Sequence, residues 1–170
     1  MAVQAWVGLG SNLGDKQANL AQALAFLRDH GVVTHVSSLY RTEPVGFLDQ
    51  DWFLNIAVGI QTNATPETFL ALLLNIEQQM GRVRVVKDGP RTIDLDLLFW
   101  DGHCLDLEGL TVPHPRLHLR HFVLQPLVEI APDLRHPLLE KTISQLVQEL
   151  GPPDGVQRVP TPHWPPDPTS

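Results

Sequence analysis

The chain of 170 residues has a single cysteine, Cys104, so no internal disulfide can form and a reducing compartment is expected. Long apolar runs are missing too, since no stretch reaches the ~20 residues that a membrane-spanning helix requires. The opening MAVQAWVGLG lacks a basic start followed by a long apolar run, so no export signal and a cytoplasmic location are expected. Basic residues are scarce, with 12 Lys and Arg against 19 Asp and Glu and a net charge of -7. That balance disfavours nucleic acid and anionic membranes as partners, because such binding draws on a clustered excess of cations. The dense basic cluster that does exist, GRVRVVKDGPR, ends at Arg91, just before a pair of aspartates. The length suits one domain whose core needs no disulfide or metal staple.

AVQAWVGLG alternates with Val3, Ala5 and Val7 on one face and reads as a strand. GSNLGD then reads as a turn before a helix over about Asp15 to His30, with Leu20, Ala23, Leu24 and Leu27 at helical spacing and Gly31 as its stop. VVTHVSSLYR is expected as a second strand and FLNIAVGIQT as a third, joined by the long loop EPVGFLDQDW. A second helix opens at Thr65-Pro66-Glu67, with Thr65 as N-cap and Phe69, Leu72, Leu73, Ile76 and Met80 as its buried stripe. Gly81 ends it, and TIDLDLLFW is the fourth strand. This order predicts an α+β fold with a ferredoxin-like βαββαβ sheet, helices packed on it, and additional C-terminal strand and helix elements. Residues 1–150 form the expected domain, and the Pro-rich residues 151–170 an extended or disordered tail with little capacity to build core or site.

In GPRTIDLDLLFW, Ile93, Leu95, Leu97 and Phe99 fall on one side of a period-two pattern, and Asp94, Asp96, Leu98 and Trp100 on the other. Alternating aspartates can simply decorate a wet sheet face. Two carboxylates on one face also supply hard oxygen ligands for Mg²⁺, which keeps waters and takes further ligands from substrate phosphates. Arg82, Arg84, Lys87 and Arg91 could neutralise those phosphates, and the constellation points to phosphoryl-type transfer.

GLGSNLG has glycines at 8, 10 and 14, a spacing that misses G-x-G-x-x-G, so a tight turn is the better reading than a dinucleotide loop. His114, His118 and His121 lack the cysteine or acid that would complete a zinc signature. His114 is better motivated as a neutral hydrogen-bond donor or phosphate contact. Phe53, Phe122 and Asn55 would suit a flat heterocycle, although aromatics are most often core.

GLGSNLGD, SSLYRTEPVG, FLNIAV, IEQQMGRVR, GPRTIDLDLLF, LTVPHPRL and FVLQPLVEIAP occur in this order from about residue 3 to about residue 140. Together they resemble the 6-hydroxymethyl-7,8-dihydropterin pyrophosphokinases of folate synthesis, and GPRTIDLD followed by TVPH is the most specific part of the match. The resemblance implies that Asp94 and Asp96 hold two Mg²⁺ ions between ATP and the pterin hydroxymethyl group. It implies catalytic roles for Arg82 and Arg91 beside that pair, and ATP contacts from Glu77, Arg82, Arg84, Arg91, His114 and Arg120. Thr42, Val45, Phe53, Asn55 and Phe122 would bind the pterin. The implied reaction transfers the β,γ-pyrophosphoryl unit of ATP and releases AMP, with a monomer expected and small molecules as partners. Lys87-Asp88 stands where many relatives place tryptophan, and Pro115 where an aromatic is frequent. The competing expectation is a ferredoxin-like module that senses a nucleotide or small ligand without turnover; an RNA-binding sheet and a metal-dependent nuclease are weaker alternatives.

Overall fold

The structure, a computed structural model, describes residues 2–43, 50–81, 92–107 and 109–167. Strand β1 (Val3–Ser11) leads to helix α1 (Lys16–Arg28), then to strands β2 (Val32–Val36), β3 (Leu39–Thr42) and β4 (Phe53–Thr62). Helix α2 (Pro66–Gln79) precedes β5 (Asp94–Trp100), and a small hairpin follows from β6 (Leu105–Leu107) and β7 (Leu110–Val112). A 3-10 turn (Leu117–Leu119), α3 (His121–Ile130), α4 (Ile143–Leu150) and β8 (Val156–Val159) complete the order. The main sheet runs β5-β1-β4-β3-β8 with β2 beside the far half of β4, and every pairing is antiparallel.

Both faces of the sheet carry helices, but unequally. Leu20, Leu24 and Leu27 of α1 and Phe69, Leu73 and Ile76 of α2 pack on Val7, Leu9, Ile56, Val58 and Ile60, which closes one face. On the other face, Leu124 and Leu127 of α3 and Ile143 and Leu146 of α4 meet Trp6, Ala57, Leu98 and Phe99. The strand ends beyond that second cluster remain open as a cavity. Helix starts follow their caps: Asp15 accepts from Ala18 N–H, Thr65 from Thr68 N–H, and Thr142 forms a reciprocal capping box with Gln145.

Four expectations are revised. VVTHVSSLYR is two strands, because at Ser37 the side-chain hydroxyl rather than a ladder carbonyl accepts the Ala57 N–H at 2.9 Å. Gly31 does not stop α1, whose C-cap is Asp29 in the right-handed region; Gly31 instead lies so near β4 that a Cβ would meet the Gln61 carbonyl at 2.6 Å. The alternation in β5 breaks at Leu98, where the register with β1 shifts, so Phe99 joins the second cluster and Trp100 the first.

The fourth revision concerns the C-terminal segment. It is extended, but not idle: Val156–Val159 pair with β3, and Glu43 N–H donates to the Gly155 carbonyl at 2.8 Å. Trp164 packs against the first cluster and donates from Nε1 to the Ser37 carbonyl at 3.0 Å. Proline-rich composition disfavours a central strand, yet an edge strand needs bonds on one side only.

Candidate active site

The cavity, about 630 Å³, is built on sheet register. One row across the strands reads Asp94, Gly10, Asn55, Tyr40, Arg158, and a neighbouring row reads Asp96, Gly8, Ala57. Cross-strand partners share a face, so both aspartates stand beside the glycines of β1 and in line with Asn55. A Cβ on Gly10 would come within 2.6 Å of Asn55 Nδ2. Gly8 and Gly10 are therefore not turn residues, as GLGSNLG was read; they keep the floor at backbone height. Gly14, at φ +67, makes the turn into α1. Asn12, nearly fully buried, ties that floor to the start of β4 by donating from Nδ2 to Gln50 Oε1 at 2.7 Å and to the Asp51 carbonyl at 3.1 Å.

Thr42, Phe53 and Val156 are register partners at the far end of the floor. The Thr42 hydroxyl donates to Asn55 Oδ1 at 2.6 Å, which fixes the rotation of the amide. Opposite them stand Arg116, Arg120, His121 and Phe122, carried by the segment that enters α3. The Arg120 guanidinium lies 5.8 Å from the centre of the Phe122 ring. The cavity thus gathers two carboxylates, two arginines, two phenylalanines and an oriented amide.

His114 stands just behind this wall. Its Nδ1 accepts the Arg116 N–H at 3.0 Å, so the neutral ring carries its proton on Nε2. Burial first, then the positive charges of Arg120 and Arg116, lower its pKa and favour that neutral form. Nε2 lies 3.5 Å from Arg120 Nη2, so two donors converge, an arrangement that suits an acceptor rich in lone pairs.

The structure brings Asp94, Asp96, Thr42, Phe53, Asn55, Arg120 and Phe122 into one cavity, with His114 adjoining it. Glu77 is elsewhere: it is buried on α2 and accepts the Leu95 N–H at 2.8 Å, behind the strand rather than at the cavity wall. Val45, Arg82, Arg84 and Arg91, with Lys87 and Asp88, lie outside the described residues, as does the basic loop. Arg116, Glu43, Asp154 and Val156 line the cavity without having been singled out from sequence, and His121, weighed there only as a zinc ligand, lines it too. Arg116 carried a usable signal, a second arginine beside His114; Asp154 and Val156 carried none, because their place depends on pairing with a strand more than a hundred residues earlier. Among the described residues no group of three His, Cys, Asp or Glu side chains could hold a metal ion. Asp94 and Asp96 are a two-carboxylate set, and their hard oxygens over a bare floor suit Mg²⁺, which takes its remaining ligands from water and phosphate.

Comparison with known proteins agrees with this geometry. The family model for 7,8-dihydro-6-hydroxymethylpterin-pyrophosphokinase matches residues 6–132. The 2-amino-4-hydroxy-6-hydroxymethyldihydropteridine pyrophosphokinase of Bacillus subtilis is 50% identical over 128 residues, 74% of this chain and 77% of the relative. The enzyme of the same name from Methylorubrum extorquens is 46% identical over 158 residues, 92% of this chain and 98% of the relative. Plasmodium falciparum HPPK-DHPS, solved as wild type with SDX-DHP, shares the fold at a TM-score of 0.70 and 17% identity, over 88% of this chain and 44% of that one. The chain belongs to the 7,8-dihydro-6-hydroxymethylpterin-pyrophosphokinase family.

Proposed function

We propose that this cavity transfers the β,γ-pyrophosphoryl unit of ATP to the hydroxyl of 6-hydroxymethyl-7,8-dihydropterin and releases AMP, a step of folate synthesis. The observation that carries the reading is the row Asp94-Gly10-Asn55, which sets a carboxylate and an oriented amide on one sheet face with only a glycine between them. The pterin lies between Phe53 and Phe122, with its polar edge on Asn55. Because Asn55 Oδ1 already accepts from Thr42, the amide meets the ring in one orientation, and the hydroxymethyl group is left toward Asp94 and Asp96.

Asp94 and Asp96 would hold Mg²⁺, which when bound screens the triphosphate charge and orients the attacking oxygen. Arg116, Arg120 and the Nε2–H of His114 receive phosphate oxygens and support the charge that grows on them during transfer. Arg82, Arg84 and Arg91 are proposed to add to this set from sequence resemblance, and Val45 to the pterin side. No covalent intermediate is required, since holding hydroxyl and β-phosphorus in line supplies most of the acceleration.

The strand order β5-β1-β4-β2/β3, with α1 and α2 on one face, supports reading the frame as ferredoxin-like with β8 added at its edge. A cytoplasmic monomer is proposed, in keeping with the single cysteine of the sequence; no described helix is long and apolar enough to cross a membrane. The test is to mix the protein with ATP, Mg²⁺ and the pterin and to follow AMP. Stoichiometric AMP and pterin pyrophosphate are expected. ATP that is bound but left intact would instead indicate a sensing module.

A further inference from the structure

Helix α3 has one end in the cavity and the other on strand β3. Phe122 and Glu129 are seven residues apart, so they lie on one stripe of the helix, about 10 Å apart along its axis. Phe122 lines the cavity, whereas Glu129 does not. The Glu129 carboxylate ends on β3: Oε1 accepts the Tyr40 hydroxyl at 2.7 Å, and Oε2 accepts the Ser38 hydroxyl at 2.9 Å. Ser38 N–H lies 3.1 and 3.2 Å from its two oxygens. Arg158 of β8 donates from Nε to the same Ser38 hydroxyl at 3.2 Å, so three elements meet at this point. Burial, and then the hydrogen bond and charge of Glu129, raise the Tyr40 pKa, which keeps the phenol a donor. Tyr40 is also the register partner of Asn55.

We infer that Glu129 is a positioning residue for the pterin slot: by fastening α3 to the strand beside Asn55, it sets the gap between Phe122 and the floor formed by Phe53 and Asn55. The inference rests on the pyrophosphokinase reading. Leu124 and Leu127, both fully buried, hold the helix on the sheet without fixing its roll, because apolar contact is non-directional. Hydrogen bonds to a carboxylate at the end of the Phe122 stripe are directional and supply that missing constraint.

The test compares wild type with Glu129→Gln, Tyr40→Phe and Thr65→Ala. The last removes the N-cap of α2 on the opposite sheet face and controls for a general loss of stability. Pterin affinity is measured by calorimetry with Mg²⁺ and a non-hydrolysable ATP analogue, and KM for each substrate by AMP formation. Glu129→Gln should weaken pterin binding about tenfold and Tyr40→Phe about threefold, the scale of lost hydrogen bonds. ATP KM and kcat at saturation should stay within about twofold, and Thr65→Ala should match wild type in pterin affinity. Unchanged pterin affinity in both site variants, an equal rise in both KM values, or the same shift in Thr65→Ala would overturn the inference while wild-type turnover leaves the function standing. Should Glu129→Gln not fold, Tyr40→Phe decides. A wild type that forms no AMP overturns the underlying reading, and the inference with it.

Discussion

Leu95 donates its backbone N–H to Glu77 Oε2 across 2.8 Å, which puts a buried carboxylate of α2 behind the residue that separates Asp94 from Asp96. Strand β5 is at the end of the sheet order, so this bond does for its outer side what a neighbouring strand would otherwise do. Glu77→Ala leaves the Leu95 donor without this acceptor and should cost about 1–3 kcal/mol. The melting temperature should fall by roughly 2–4 °C for each kcal/mol, and kcat should fall with it as the aspartates lose their support. Glu77→Gln, which keeps an acceptor oxygen, should lose less of both. Thermal melts and initial rates of the two variants check this.

The second prediction follows from the bare floor. In Gly10→Ala the new methyl meets Asn55 Nδ2 at 2.6 Å, so the amide must turn away from its bond to Thr42. Pterin KM should rise about tenfold, the worth of one or two lost hydrogen bonds, with ATP KM little changed. Gly8→Ala, whose methyl would find Leu98 at an ordinary 3.5 Å, should affect the pterin less. Equal pterin KM values in Gly10→Ala and wild type would show that Asn55 does not read the ring.

A truncation after Gly151 removes β8, the Glu43–Gly155 bond, and the Trp164 bond to Ser37. It should lower the melting temperature and raise the pterin KM, because Thr42 loses its partner Val156. A truncated protein with wild-type stability and pterin KM would show that the strand only decorates the edge.

Much of the site was legible because local alternation was strong. Asp94 and Asp96 are read directly from period two, and β5 holds that register up to Leu98, whereas Phe53 and Asn55 were grouped with them through the family resemblance. The bulge at Leu98 was not legible, since it answers to Trp6 on the neighbouring strand rather than to any residue within β5. The break at Ser37 and Ser38 and the strand at Val156–Val159 were hidden for the same reason. Both depend on what the rest of the chain places beside them. Gly8 and Gly10 look like turn glycines until the partner strands show that a side chain there would fill the floor.

Stability should depend on pH through His136. Its Nδ1 accepts the N–H groups of Leu138 and Leu139 at 3.2 and 3.1 Å, and burial, then the nearby His118, lower its pKa. The unfolded chain therefore binds the proton more readily than the fold does. The stabilisation is complete above about pH 6.5 and is lost progressively as the pH falls below that, levelling off under the depressed folded value. His114, shifted in the same direction, adds to the same window. His136→Asn offers an uncharged acceptor to the two N–H groups and should reduce the drop in melting temperature between pH 7.5 and pH 5.5. The same drop in variant and wild type would assign the dependence elsewhere.

The most direct measurement is AMP formation as a function of Mg²⁺ in Asp94→Asn and Asp96→Asn. Asparagine keeps the size and a carbonyl oxygen but removes the charge that holds a hard cation beside a polyphosphate. Each variant should fold, since neither side chain belongs to the hydrophobic clusters. Each should lose most of its activity and require more Mg²⁺ to recover what remains. Wild-type turnover at limiting Mg²⁺ in both folded variants would contradict the proposal that Asp94 and Asp96 hold the metal.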